Sequence, residues 1–516
     1  MSLTITWIFV IVVGLALVAF NGLRWLRVAQ REHYIAPWVT RLGLLWISRV
    51  SFNLFFLAAG IVLLALSFIT STPSFVASAL IAFGGLPWGL GVRGTSAKLA
   101  WTDRLKRLAV AWLVLVLLIG AGLSLLIGPA GVVLTVLALA PIMDLALVIL
   151  KPIEKRLTRK YLVSARKRLQ QVRPTIVAIT GSYGKTSTKA YVAHVIGSAF
   201  STVASPASFN NLMGLSRAVN DRVVPGTEVF IAEMGVYGRG EIRELSESFP
   251  PDVAAITTIG EAHLARMGSR EVIFQAKSEI TEKAKTVVLP IDDPMLAALA
   301  ETCRAQGKRV VTVSTVPGTE ADVVVDAANE QVTVTVGGVS SSAPVVIPGV
   351  GHAVNLAVTV GIALALDVDF ATVAPRLAAL PDSAHRAEIQ IAATGVAIVD
   401  DTYNSNPVGA ARAVQGAAAL AAERGGPLVV VTPGMVELGS VQRARNEEFA
   451  AQVAEAGGYL FAVAKTNRAA LVAGGSKGPH PVRTFDRRTD AVTVALDQAG
   501  DRGVILYEND LPDHYP

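Results

Sequence analysis

The chain has 516 residues, of which 52% are hydrophobic and 17% charged, with a net charge of +6 and a single cysteine. So apolar a composition, with a charged share below the usual ~25%, excludes a disordered chain, and one cysteine excludes a disulfide-stapled scaffold. Residues 1–150 hold 10 Lys/Arg against Glu32, Asp103 and Asp144, a net of +7, so the basic character belongs to the N-terminal third and is not a nucleic-acid patch on a globular domain.

Five apolar stretches fill that third, at roughly 3–23, 53–70, 75–92, 108–128 and 130–150. Each has about the 17–25 residues that a helix needs to cross a bilayer core. The first lacks a basic leading segment and a clear small-residue cleavage site, and it reads as a span, not a signal peptide. Loop charges alternate along the chain. Arg24, Arg27, Arg31, Arg41 and Arg49 follow the first stretch, and Arg93, Lys98, Arg104, Lys106 and Arg107 follow the third. A run from Lys151 to Arg173 follows the fifth, while the links at 71–74 and 128–130 are uncharged. An α-helical membrane domain of about five transmembrane helices, N-terminus outside, fits the positive-inside rule and leaves everything after residue 150 in the cytoplasm. The third stretch is the weakest, because Gly84, Gly85, Pro87, Gly89 and Gly91 interrupt it. Asp144 is the one acid inside a stretch. It either forms a polar pocket or contacts a lipid head group or partner, or it reaches water or pairs with Lys151 near the cytoplasmic end. The basic run at 151–173 reads as a topology signal and linker, with binding of anionic membrane lipid as the other reading.

From Thr175 the pattern changes. Pro174-Thr-Ile-Val-Ala-Ile-Thr reads as a short, buried, β-branched strand. It runs into Gly181-Ser182-Tyr-Gly184-Lys185-Thr186-Ser187-Thr-Lys189 and a helical stretch from Ala190 to Phe200. Strand, glycine-rich turn and helix is the setting of a phosphate loop. Glycines let backbone N–H groups approach phosphate oxygens, and the helix N-terminus adds its dipole. Lys185 can reach the β/γ-phosphates, and Thr186 or Ser187 can hold Mg²⁺. The usual pattern has glycine where Ile179 stands, so the loop is a variant. Strands at Val229–Ala232, Val253–Thr257, Thr286–Leu289 and Val310–Val313, separated by helical stretches, imply an α/β domain with a largely parallel sheet. Residues 321–348 alternate, as in a small antiparallel piece. A helix at Val354–Leu366 leads to a second α/β unit with strands at Ala397–Asp400, Leu428–Thr432, Tyr459–Ala464 and Val504–Tyr507. The expected organisation is a transmembrane domain (1–150), a basic linker (151–173), a central P-loop ATPase-like domain (174–348) and a C-terminal Rossmann-like domain (349–516).

Seven segments line up in order. They are the phosphate loop; Ser208-Phe-Asn210-Asn211-Leu-Met-Gly214; Glu233-Met-Gly235 with Gly240-Glu241-Ile242; Ile259-Gly260-Glu-Ala-His263-Leu; Ala276-Lys277-Ser-Glu279-Ile280; His385-Arg386-Ala-Glu388; and Asp400-Asp401-Thr-Tyr403-Asn404-Ser-Asn406-Pro407. Over about 175–516 the chain resembles the Mur ligase family, most of all the branch that adds D-alanyl-D-alanine to a muramoyl tripeptide. The resemblance implies an ATP- and Mg²⁺-dependent amide ligase of peptidoglycan precursor synthesis. ATP phosphorylates a carboxylate, and an amine then displaces the phosphate. Positioning and charge neutralisation carry such catalysis. By the same resemblance Lys185 cradles phosphates, and Thr186, Glu233 and His263 bind magnesium. Lys277 matches a lysine that is carbamylated in the family, which would turn a cation into an anion able to hold metal. Lys185, Lys277 and His263 are thus the catalytic candidates. Arg386 would reach ATP phosphate across a domain gap, and Asp401, rather than Asp400, would bind ribose. Asn210 and Asn211 would line the substrate cleft. Tyr403, Asn404 and Asn406 would contact substrate or simply set the turn before Pro407.

Departures fall in the recognition parts. The family's soluble UDP-gripping domain is replaced by the apolar stretches, which opens a lipid-linked precursor presented at the membrane as a donor beside a UDP-linked one. Pro290 precedes Asp292-Asp293 where the family often has Asn, and Gly351-His352-Ala-Val-Asn355 has its His one position closer to Asn than usual. A Gly-Asp-Met-x-Glu-Leu-Gly run reads Pro433-Gly434-Met435-Val436-Glu437-Leu438-Gly439, and the closing Lys-Gly-Ser-Arg is replaced by Tyr507-Glu508-Asn509-Asp510. A ligase for a different amine, an ATP-driven transporter and a non-catalytic scaffold are the competing readings. Asp144 alone inside the spans argues against transport.

Overall fold

The computed structural model describes the whole chain except residues 1–2, 71, 93–98, 236, 329–330, 345–352, 382–387, 403–404 and 512–513. It divides into two units: Met1–Leu157 with Ala464–Thr466 and Leu511–Pro516, and Thr158–Val463 with Asn467–Asp510.

The first unit is helical: α1 (Leu3–Arg31), α2 (Trp38–Arg49), α3 (Ser51–Thr70), α4 (Pro73–Gly84), α5 (Asp103–Ile127), α6 (Ala130–Leu137) and the start of α7 (Leu139–Val172). Trp25, Leu80, Phe83, Trp112 and Met143 pack its interior, and the Trp112 indole N–H donates to the Leu139 carbonyl (3.1 Å). Leu125 and Leu126, by contrast, are 89% and 80% exposed, an outward apolar face that needs a non-aqueous partner. By length and composition α1, α3 and α5 can cross a membrane, and α6 with α7, bent by 66°, would make a fourth. Among the described residues the expected five spans are thus not confirmed. The third stretch is helical only over the 12 residues of α4, about 18 Å at 1.5 Å per residue. Gly84, Gly85 and Pro87 follow at its end, and Gly89 has φ 97°. Asp144 takes a role that neither sequence reading named. It accepts from the amides of Val39 (3.3 Å) and Thr40 (2.8 Å) and from the Thr40 hydroxyl, and so caps the first turn of α2.

The second unit holds two sheets. The first comprises β1 (Thr175–Thr180), β2 (Thr202–Ala204), β3 (Val229–Glu233), β4 (Val253–Ile256), β5 (Thr286–Pro290), β6 (Arg309–Ser314), β7 (Val323–Ala328), β8 (Gln331–Val336) and β9 (Val339–Pro344). Their order is β2-β3-β1-β4-β5-β6-β7-β8-β9, parallel as far as β7 and antiparallel beyond it. The expected antiparallel piece thus continues the parallel sheet. Side chains of β1 alternate between two cores: Ile176 and Ala178 on one face, Val177 and Ile179 on the other. The helix Ala353–Ala365 covers the second face. The other sheet comprises β10 (Glu388–Ile391), β11 (Ala397–Asp401), β12 (Leu428–Thr432), β13 (Tyr459–Val463), β14 (Arg483–Phe485) and β15 (Val504–Glu508), in the order β10-β11-β15-β12-β13-β14 with only β10 antiparallel. In the first sheet β1 lies between β3 and β4. Its carboxyl end is therefore a switch point, where open α/β sheets leave a crevice.

Candidate functional site

At that switch point β1 ends on Thr180 and, after a four-residue loop, the helix α8 (Lys185–Ile196) begins. Gly184 closes the turn at φ 81°, and any side chain there would run into Asn355. The loop is braced from the segment after β4. Ser182 N–H donates to the Thr258 carbonyl (2.8 Å), Gly260 N–H to the Ser182 hydroxyl (2.9 Å), and Glu261 N–H to the Tyr183 hydroxyl (2.9 Å). The N-terminus of α8 follows this loop directly, as at anion sites.

Two lysines share one backbone oxygen. Lys185 Nζ lies 2.7 Å and Lys277 Nζ 3.0 Å from the Gly181 carbonyl. Lys277 is only 2% exposed. Burial first, and the Lys185 charge second, hold its amine well below the usual lysine range. Across the crevice the Thr186 hydroxyl lies 3.2 Å from both oxygens of Glu233, at the end of β3. Glu233 also pairs with buried Lys189 (2.8 Å). Burial by itself would raise the Glu233 carboxyl, but Lys189, Lys185 and Thr186 outweigh it and bring it below its ordinary value. Sequence reading gave Lys189 no role. Its signal was faint, a lysine one helical turn after Lys185 on the face that α8 buries.

His263 stands at φ 61°. Its Nδ1 lies 2.6 Å from Glu437 Oε2, and Glu437 Oε1 accepts from Arg266 Nη2 (2.9 Å). Burial lowers His263 below its ordinary value against the raising effect of Glu437. Burial would raise Glu437, yet the hydrogen bond and charge of His263, with Arg266, bring it down to about 2. Beside this pair, Arg445 grips Glu261 through two nitrogens (2.7 and 2.9 Å). Sequence reading named Glu437 only as part of a motif and missed both contacts.

The structure thus gathers Gly181, Ser182, Gly184, Lys185, Thr186, Glu233 and Lys277 at one crevice. Ser187 is buried on α8. Asn210 sits against Gly235, whose N–H donates to the Asn210 carbonyl (2.8 Å). Asn211 and Asn406 cap helices, accepting from Gly214 N–H and Gly409 N–H, each at 2.9 Å. Asp400 accepts from the Thr402 amide (3.1 Å) and hydroxyl (2.6 Å). Asp401 pairs in register with Glu508 on β15. Glu508 is fully buried, accepting from the Thr432 hydroxyl (2.8 Å) and the Ser405 hydroxyl. Burial pushes its carboxyl up to about 7 against those bonds. Arg386, Tyr403 and Asn404 lie outside the described residues, as do His352 and His385.

Among the described residues no three His, Cys, Asp or Glu side chains gather into a metal cage. The donor set still fits Mg²⁺, which takes one or two carboxylates and completes its shell with phosphate and water oxygens. Glu233 and the adjacent Thr186 hydroxyl supply that protein share.

Residues 179–363 match the Mur ligase middle domain, and residues 385–507 match the Mur ligase, glutamate ligase domain. The chain is 35% identical over 238 residues to the UDP-N-acetylmuramoyl-tripeptide–D-alanyl-D-alanine ligase of Mycobacterium tuberculosis, covering 45% of this chain and 46% of that one. It is 30% identical over 294 residues to the Bacillus subtilis enzyme of the same name, covering 56% and 62%. The chain therefore spans about half the length of the mycobacterial relative it matches. Among solved structures it is similar in fold to MurF from Acinetobacter baumannii (TM-score 0.58, 23% identity, 68% of this chain and 77% of that one). It is likewise similar to the MurF ligase from Thermotoga maritima in complex with ADP (TM-score 0.57, 23% identity, 68% and 80%).

Proposed function

Since the chain carries the middle and C-terminal domains of the Mur ligases, which are ATP-dependent, ADP-forming amide ligases, we propose that it is such a ligase in cell-envelope precursor synthesis. Its reaction joins an amine, D-alanyl-D-alanine in the relatives named above, to a peptide-bearing muramoyl precursor. The observation that carries this reading is the crevice at the end of β1, where Lys185 and buried Lys277 meet one loop carbonyl opposite Glu233 and Thr186.

The γ-phosphoryl of ATP passes to an oxygen of the donor carboxylate, giving an acyl phosphate and ADP. The amine nitrogen then attacks the acyl carbon. The carbon–oxygen bond breaks with its electrons on phosphate, and the amine gives up a proton. Little of this needs covalent help from the protein. The loop amides and Lys185 would hold the phosphates, and Lys277, its amine held well below the usual lysine range by burial, would take up CO₂ as a carbamate. Thr186, Glu233, His263 and a carbamylated Lys277 would hold Mg²⁺, which supplies charge neutralisation at the phosphates.

The three long apolar helices support a membrane anchor, with the ligase domains on the ATP-bearing cytoplasmic side. A lipid-linked donor is then within reach as well as a UDP-linked one. A different amine is the second reading. It is favoured by Tyr507-Glu508-Asn509-Asp510 standing where the D-alanyl-D-alanine branch has Lys-Gly-Ser-Arg. The deciding experiment measures amine-dependent ADP release by full-length protein in detergent, with Mg²⁺, ATP and either donor. D-alanyl-D-alanine is run against a panel of single amino acids. Turnover with a muramoyl donor supports the reading, and the active amine and donor choose between its versions. No turnover with any pair refutes it.

A further inference from the structure

The segment 433–439 has no part in the phosphate chemistry above, yet it carries the C-terminal domain's grip on His263. Glu437 stands at φ 63° and His263 at φ 61°. Left-handed backbone is uncommon for side chains of this kind, and it persists where surrounding contacts hold it. Three contacts hold this pair. The Glu437 carbonyl accepts from Ala265 N–H (2.9 Å), Oε1 from Arg266 Nη2 (2.9 Å), and Oε2 meets His263 Nδ1 (2.6 Å). Arg445 on Glu261 fastens the same stretch of the central domain from a second point. The Tyr237 ring closes the other side of the imidazole, edge to face at 4.9 Å.

We propose that Glu437 is a positioning residue for the ligase reaction. It accepts the Nδ1–H of His263 and leaves Nε2 as the bare nitrogen able to face a cation. A carboxylate behind the imidazole is how proteins commonly fix the tautomer and ring angle of a metal-binding histidine. Here the carboxylate belongs to the C-terminal domain and the imidazole to the central one. Docking of the two domains therefore readies His263, and a disengaged C-terminal domain leaves it free to turn. The inference rests on the ligase reading for the role of His263.

The test compares wild type, Glu437→Ala and Glu437→Gln as full chains in detergent. Mn²⁺ is the probe metal, read by paramagnetic resonance with a non-hydrolysable ATP analogue. Glu437→Ala is expected to weaken Mn²⁺ retention by about 10–100-fold, the usual cost of losing such a partner, with metal-free nucleotide affinity unchanged. Glu437→Gln keeps an acceptor oxygen and is expected to recover most of the loss. In ¹⁵N-histidine spectra of the 7 histidines, one imidazole should change tautomer in the alanine variant alone. Equal Mn²⁺ retention in wild type and Glu437→Ala overturns the proposal. So does an equal loss in both variants with a lowered melting temperature, which marks a merely structural contact. A wild type that binds no Mn²⁺–nucleotide at all removes the ligase reading first, and this inference with it.

Discussion

Replacing Lys189 by methionine removes the cation from a pair whose side chains are 7% and 4% exposed. Breaking a buried pair by deleting one partner costs about 3–5 kcal/mol, because the other charge stays buried. Glu233 would keep the Thr186 hydroxyl at 3.2 Å, so the low end, about 3 kcal/mol, is expected. Hydrogen exchange over β1 and β3 should then speed up about 100-fold. The pH dependence should also change sign. In the wild type the Glu233 carboxyl lies below its ordinary value. Its contribution is present above the unfolded carboxylate range and is lost as pH falls through the lowered folded value. Without Lys189, burial becomes the ruling influence and lifts the folded value above the unfolded one. Stability is then highest in acid and falls as pH rises past the carboxylate range. Adding Glu233→Gln should restore most of the stability, since removing both charges leaves nothing unpaired, while Mg²⁺–nucleotide binding stays impaired. A loss below about 1 kcal/mol in the single variant, or an unchanged pH slope, would show that water screens the pair and would refute the argument.

Lys277→Ala should abolish amide formation and regain part of it with added small carboxylates; ligation at the wild-type rate would remove Lys277 from the chemistry. Gly184→Ala forces a side chain into left-handed backbone, at about 1–2 kcal/mol, and against Asn355. Nucleotide affinity should fall at least about tenfold in a binding titration, and wild-type affinity would mean that the loop does not hold phosphate. Glu508, with its carboxyl at about 7 against an ordinary 4.5, should make the C-terminal domain lose about 3 kcal/mol as pH rises between those values. Glu508→Gln should flatten that slope in thermal unfolding at pH 5 and pH 8, and an unaltered slope would place the titration elsewhere. The full chain should stay with membranes through a high-salt wash and leave only with detergent; release by salt alone would deny the apolar helices a spanning role.

Much of the second unit was legible because its signals are local. The β-branched run at 175–180 sends alternate side chains to two cores, and glycines 181 and 184 stand where the turn needs them. Strands β2 and β14 have three residues each and carry too little pattern to read. The third apolar stretch misled because hydropathy counts side chains, whereas the helix Pro73–Gly84 ends where glycine and proline break the backbone. Asn211 was expected to line the substrate cleft, and Asn406 to contact substrate or set the turn before Pro407; each precedes a helix that its side chain caps. The pairs that organise the site were not legible. Lys189 and Glu233 are 44 residues apart, and His263 and Glu437 are 174 apart. Only the topology brings them together.

The charges of the crevice make sense only with an anion to come. Lys185 and Lys277 both point at the Gly181 carbonyl, and two ammonium groups on one oxygen repel each other in a buried site. The nearby carboxylate, Glu233, is already paired with Lys189. Burial and the neighbouring cation resolve the conflict by pushing Lys277 toward its neutral form. A neutral amine, unlike an ammonium, does not repel a metal cation, and it is also the form that can bind CO₂. Lys185 sits at the start of α8, and in the proposed reaction phosphate oxygens would replace the carbonyl as its partner. On the proposed ligase reading, this arrangement would let Lys185 hold an anion and buried Lys277 become one.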